Sequence, residues 1–305
     1  MSDRIYLDYN ATTPIDPQIE EIISPLYSTD FGNAASSTHQ YGQDAKKLVE
    51  RSRMQLASGL DCELNEIIFT SGATESINMA IKGIISAADK NKKHIITTKT
   101  EHKAVLDSCD YVEKSGVDID CLPVDRDGYV SVNDFKNAIR ADTILVIILH
   151  GNNEIGTIQP IMDIGQICAE NNIPMLVDAA QTFGKLPISV KNSGISMLAG
   201  SAHKIYGPKG SGFLYKQGDI RIDPLIHGGG HERGLRSGTH NVAGIVGLAM
   251  SYRLMLNNQE DEKTKLNNHA DDFIKELENA NLEYLINGPK KGRLPGNLNI
   301  CLKGI

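Results

Sequence analysis

Apolar residues along this chain fall into short runs, each followed by a stretch with the 3.6-residue period of a helix. "EIIFTSG" (66–72) leads into "ATESINMAIKGIISAA" (73–88), and "HIITTK" (94–99) into "EHKAVLDSCDYVEKSG" (101–116). "TILVIILH" (143–150) precedes "IMDIGQICAENN" (161–172), after which "MLVDAA" (175–180) is apolar again. Runs that are apolar throughout, rather than at every second position, belong to strands covered on both faces. The alternation with helices therefore predicts an α/β fold with a mostly parallel sheet between helical layers. "SMLAGSAH" (196–203) and "GSGFLYK" (210–216) read as two further strands joined by a glycine-marked turn. From about residue 239 the pattern turns helical for roughly 40 residues, as a long amphipathic pair connecting two domains. The last stretch, "LEYLINGPKKGRLPGNLNICLKGI" (282–305), reads as strand, Pro/Gly loop and strand, which is too little for an independent domain.

Composition narrows the functional classes. The chain has 305 residues, enough for one large domain with a smaller appendage. Lys and Arg number 31 against 38 Asp and Glu, a net charge of −7 with no long basic run, so no electrostatic footprint for a nucleic acid is present. The longest apolar stretch is too short to span a bilayer, and "MSDRIYLDYN" lacks the apolar core of a secretory signal. Five scattered cysteines without a C-x-x-C pair suit a reducing compartment, and no metal site is expected. The chain is expected to be soluble and cytoplasmic.

In parallel α/β sheets ligands bind beyond the carboxyl ends of the strands, so the residues closing each apolar run matter most. "TSGATES" follows one strand and opens a helix, where Gly72, Ala73 and Thr74 can present N–H groups and a hydroxyl to a phosphate, or simply form an N-cap. Asp178 closes "MLVD", with Gln181 three residues on. A carboxylate there needs a cation or proton donor, such as a protonated ring nitrogen, unless it caps a helix. "SAHK" places Ser201, His203 and Lys204 at the end of a later strand. Lys204 alone could be a solvated charge in a Gly-rich turn, but desolvated it becomes an amine that attacks carbonyls. Taken together, a phosphate cradle, a carboxylate for a heterocycle nitrogen and an amine for an aldehyde are the three handles of pyridoxal 5′-phosphate (PLP). "GPKGSG" lacks the spacing of an ATP-binding loop, "HGGGHERG" contains no H-E-x-x-H zinc motif, and no G-x-S-x-G accompanies "HGGG".

With these residues placed, the sequence resembles the cysteine desulfurases, specifically the housekeeping iron–sulfur-cluster group within class V of the fold-type I PLP enzymes. The matching stretches are "IYLDYNATTP", "FGNAAS", "FTSGATES", "HIITTKTEHKAVLD", "NNEIGTIQP", "VDAAQTFGKLPI", "SAHKIYGPKGSG" and "HGGGHERGLRSGT", in order from the first residues to about 240. The resemblance implies a large PLP-binding domain over 15–255 and a small α+β domain made of 1–14 and 256–305, whose C-terminal part is absent. It implies that Lys204 forms the Schiff base and later moves the substrate Cα proton, and that Asp178 pairs with the ring nitrogen. Gln181 would contact the ring hydroxyl, and Asn153 would lie beside ring and substrate. His102 would stack on the ring and exchange a proton with the substrate thiol. Ala73, Thr74, Ser201 and His203 would hold the phosphate, and Thr239 would reach the phosphate of a neighbouring subunit, implying a homodimer.

The reaction implied is conversion of L-cysteine to L-alanine, with sulfur left as a persulfide for an iron–sulfur scaffold or another acceptor. The sequence ends before the Ser/Gly-rich loop that carries the reactive cysteine in the family, and before its substrate-holding arginine, so truncation is expected. Cys301 falls in the alternating "NLNICL" and reads as a small buried hydrophobe. Cys62, Cys109, Cys121 and Cys168 are expected on helices or their connections, none of them in an exposed reactive setting. Two other readings stay open: a different PLP lyase or aminotransferase, and a truncated protomer without activity of its own.

Overall fold

A computed structural model describes residues 4–89 and 93–304. Residues 1–3 and 305, the outer ends of the expected small domain, lie outside the described residues. The chain begins with α1 (Pro17–Ile23) and the long α2 (Gln40–Leu60), followed by β1 (Ile67–Thr70) and α3 (Ala73–Ala87). Then come β2 (His94–Thr98), α4 (Lys103–Glu113), β3 (Asp118–Leu122), α5 (Val132–Ala138), β4 (Thr143–Leu149), α6 (Ile161–Glu170) and β5 (Met175–Asp178). β6 (Met197–Ser201), β7 (Gly212–Lys216), α7 (Val242–Asn279), β8 (Tyr284–Ile286) and β9 (Ile300–Leu302) complete the order.

Seven strands form one sheet in the order β1-β7-β6-β5-β4-β2-β3. The strands from β6 to β3 run parallel, while β7 is antiparallel to both of its neighbours, β6 and β1. All seven residues of β4 are buried because helices cover both faces. Its side chains alternate between two cores. Val146 and Ile148 pack with residues of α1, α2, α6 and α7, and Leu145 and Ile147 with residues of α3 and α4. The fold is thus a three-layer α/β sandwich with a mostly parallel mixed sheet, as the apolar runs predict.

Three local readings need correction. The expected helical pair after residue 239 is a single helix of 38 residues, since no Gly or Pro interrupts 248–279 and "EDEKTKL" is made mostly of helix formers. Cys121 lies on β3 and is exposed, not on a helix or connection; β3 is an edge strand whose half-exposed residues give little apolar signal. Cys301 is also exposed, because β8 and β9 pair only with each other and β9 turns that position to solvent. No helix of the described residues is long and apolar enough to cross a membrane.

Candidate active site

The carboxyl ends of β1, β4, β5 and β6, with the turn after β2, converge on a cavity of about 460 Å³. Ala73, Thr74, His102, Asn153, Asp178, Gln181, Ser201, His203 and Lys204 all line it. Residues more than a hundred positions apart in the sequence meet there because each lies at or just beyond the carboxyl end of a strand of one sheet. Thr239 does not line it; it stands exposed on the loop between β7 and α7.

The α3 end of the cavity is built for an anion. Gly72 precedes the helix with φ of 153°, and no side chain caps the helix N-terminus, so its first N–H groups face the cavity without side-chain partners. A Cβ on Gly72 would come within 3.7 Å of Ser201 Oγ, filling space between the helix end and β6. Glu75, in the first turn, is occupied elsewhere: it accepts from Ser71 N at 2.8 Å and from Arg236 Nε at 2.7 Å. Its carboxyl is drawn below the usual range: the Arg236 and Ser71 bonds outweigh burial, which pushes it up.

At the other end lie the amine and the carboxyl. Lys204 occupies a short 3-10 turn (Ala202–Lys204) directly after β6. Its Nζ donates to Asn10 O at 3.0 Å, and burial lowers its pKa against the pull of Asp178, Asp8 and Glu154. Asp178 is 2% exposed. It accepts from Ala180 N at 2.9 Å, the local turn expected of an Asp closing a strand, and burial raises its pKa despite attraction to His102 and Lys204. Gln181 donates to Asn10 O at 2.8 Å, which leaves its buried Oε1 without a donor. A protonated heterocycle nitrogen and a ring hydroxyl would answer the needs of Asp178 and Gln181, so the donor set fits PLP.

His102 is the N-cap of α4, where Nδ1 accepts from Ala104 N at 3.0 Å. An accepting Nδ1 carries no proton, which leaves the proton of the neutral ring on Nε2. His203 Nδ1 lies 3.1 Å from Thr12 Oγ1, and burial, then the cations Lys204, Lys209 and Lys185, hold its pKa down. Asn153 uses its amide on Glu154 Oε1 at 2.7 Å, and its carbonyl accepts from Asn10 Nδ2 at 3.2 Å.

Sequence reasoning missed the N-terminal strap. Asn10 and Thr12 contact Lys204, Gln181, Asn153 and His203, and Thr13 N donates to His203 O at 2.9 Å. "DYNATTP" belongs to the family-like stretches, but nothing local marks Asn10 as a residue whose carbonyl is the meeting point. A buried ion pair between distant segments was equally invisible. Arg53 of α2 makes two 2.8 Å contacts with Glu232, whose carboxylate also accepts from Phe69 N of the edge strand β1 and lies 2.6 Å from His240. This network holds the 231–241 loop against the strand that leads to the α3 cradle.

Comparison with known proteins agrees with this architecture. Residues 5–305 match the Aminotransferase class-V family. The chain is 46% identical over 299 residues to "Cysteine desulfurase IscS" of Dictyoglomus turgidum (strain DSM 6724 / Z-1310), covering 98% of this chain and 76% of that protein. A solved "NIFS-LIKE PROTEIN" superposes with a TM-score of 0.95 at 38% identity, over 99% of this chain and 82% of the other. A structure titled "SspA in complex with cysteine" matches with a TM-score of 0.80 at 42% identity, over 82% of this chain and 72% of that one. The chain therefore belongs to the class-V aminotransferase family, among its PLP-dependent cysteine desulfurases.

Proposed function

We propose that this chain binds PLP in the cavity and acts on L-cysteine, yielding L-alanine while sulfur passes to a thiol as a persulfide and on to an iron–sulfur scaffold or another acceptor. The C–S bond of cysteine breaks, an S–S bond forms on the acceptor thiolate, and the acceptor's proton ends on alanine, so no oxidant is needed. When bound, PLP supplies an aldehyde that captures amines and a protonated ring that accepts the electron pair released at Cα. The observation that carries this reading is the meeting of Lys204, Asp178 and the unpartnered Gln181 Oε1 around one cavity.

The roles of the chain's own residues follow from their surroundings. Lys204, its amine pushed toward the neutral form by burial, would hold the cofactor through its aldehyde and carry the substrate Cα proton. Asp178 would hold the proton of the ring nitrogen, and Gln181 Oε1 would accept from the ring hydroxyl. Ala73 and Thr74 offer N–H groups to the phosphate, with Ser201 and His203 beside them. His102, with its proton on Nε2, would cover the ring face and exchange a proton with the substrate sulfur, next to Asn153. No cysteine among the described residues lines the cavity. Cys62, Cys109 and Cys168 are pushed up to about 12 by burial, so the attacking thiolate is not one of these three.

The residue ranges 15–255 and 1–14 with 256–305 act as large and small domains, in keeping with the separate β8–β9 sheet and with α7 crossing from one to the other. Thr239, exposed and away from its own cavity, serves the phosphate of a second copy in a cytoplasmic homodimer. The test is to load the chain with PLP, reduce one portion with borohydride and map the labelled peptide, and supply an unreduced portion with L-cysteine and a soluble thiol. Label on Lys204 and alanine matched by thiol-bound sulfur are expected. Label on another lysine, or keto acid in place of alanine, would overturn the reading.

A further inference from the structure

Glu101 stands beside His102 in the sequence yet does not line the cavity. It is 6% exposed. One oxygen, Oε1, accepts two hydrogen bonds, from Thr98 Oγ1 at 2.8 Å and from Leu149 N at 2.9 Å. The other, Oε2, is buried with no partner among the described residues. β2 ends at Thr98 while β4 runs on to Leu149, whose other neighbour in the sheet is Asp178. The Glu101 carboxyl thus takes the place of a strand at the end of β4. It closes the 98–102 turn from which His102 caps α4, and Asn152 Nδ2 holds the same turn through Thr100 O at 3.2 Å.

We propose that Glu101 is a positioning residue that works as a neutral carboxylic acid, fixing the turn that presents His102 and leaving the negative charge at this end of the sheet to Asp178. The proposal rests on the roles given above to those two residues. Two buried carboxyls that repel one another do not both ionise without a cation between them. Asp178 opens onto the cavity and is attracted by Lys204 and His102, whereas Glu101 has no such partner. An ionised Oε2 with no donor would be costlier to bury than a neutral hydroxyl. Burial, reinforced by Asp178, accordingly pushes Glu101 up to about 8. The other titratable groups that feel its charge are Cys109 of α4 and Cys121 of β3, both raised by burial.

Glu101→Gln imitates the neutral acid: its carbonyl can accept both bonds, and its amide replaces the hydroxyl. In the cofactor-free protein at pH 7, the infrared band of a protonated carboxyl should be present in wild type and diminished in E101Q. A folded-state pKa raised above the unfolded value gives stability that is full below about pH 4.5 and is lost as pH rises through about 8. The melting temperature of wild type should therefore fall by several degrees more than that of E101Q between about pH 6 and 9.5. PLP affinity should stay within about threefold of wild type in E101Q and drop about tenfold or more in Glu101→Leu, which leaves the Leu149 N–H unpaired. If E101L does not fold, the E101Q comparisons decide alone. An unchanged infrared band, parallel pH profiles, or PLP affinity weakened tenfold in E101Q would each overturn the proposal. Because the infrared and melting measurements need no cofactor, a wild-type chain that failed to bind PLP would refute the proposed function separately from Glu101.

Discussion

Replacing Glu232 by Gln removes one negative charge from a place where it is almost wholly enclosed: the side chains of Arg53 and Glu232 are 4% and 1% exposed. Arg53 would keep its bond to Ile67 O at 2.8 Å but lose its buried counter-charge. Breaking such a pair from one side costs about 3–5 kcal/mol, because the remaining ion stays buried without compensation. A second route gives a similar magnitude. Burial alone would raise the Glu232 carboxyl, but hydrogen bonds from Arg53 and His240 and the Arg53 charge hold it down to about 2. Against an ordinary value near 4.5, that displacement corresponds to about 3 kcal/mol of folding stability at neutral pH. For a chain of this length the loss should lower the melting temperature by about 5–8 °C. Glu50 is the internal control: it bonds the same Arg53 at 3.2 Å, but is 51% exposed, so Glu50→Gln should shift melting by about 1 °C or less. The sign with pH follows from the depressed value. The Glu232 contribution is present above about pH 4.5 and fades as pH falls toward about 2, so the gap between wild type and E232Q should close over that window. Calorimetry of both variants from pH 7 down to pH 3 checks this. A shift for E232Q no larger than for E50Q, or a gap that stays constant with pH, would refute the claim that this pair is buried and paired.

Lys204→Met should abolish the borohydride-trapped adduct yet stabilise the cofactor-free protein by about 1 kcal/mol at pH 7, since burial penalises the ammonium and Asn10 O keeps its bond from Gln181. A lysine depressed in the folded state costs stability while protonated, so the gain should vanish as pH approaches about 10.5; thermal melts across that range check it. Gly212→Ala would set a methyl 2.5 Å from Gly72 Cα and 2.6 Å from Gly200 O, both backbone atoms that cannot swing aside. The expected result is a loss of about 1–3 kcal/mol of stability and a drop in PLP affinity of at least about tenfold, read by melting and by titration. Unchanged PLP affinity would show that the α3 cradle does not depend on this close approach.

The buried parallel strands were legible because a strand covered on both faces must be apolar throughout, as "TILVIIL" is. Lys204, Asp178 and the Gly72–Thr74 turn were legible because each closes such a run. β3 was not, since "DIDCL" at a sheet edge alternates weakly between exposed and half-buried positions. Cys301 misled for a related reason: its alternating surroundings imply one buried face, but a two-stranded sheet leaves that position to solvent. Glu101 looks like an ordinary charge before a helix, and only the Leu149 N–H, 48 residues away, makes it a buried acceptor. Arg53 and Glu232 are 179 positions apart, a pairing that no local pattern encodes.

The strap at Asn10–Thr13 sets an order of events while the chain is being made. Thr13 bonds the carbonyl of His203, 190 positions later, and Tyr206 N in turn donates to Thr13 Oγ1. At about 5–20 residues per second, this segment waits on the order of 10–40 s for its partner to be synthesised. Through that interval the Asn10–Thr13 segment has neither Lys204 nor His203 to bond, and this side of the cavity takes shape only once residues 203–206 meet it.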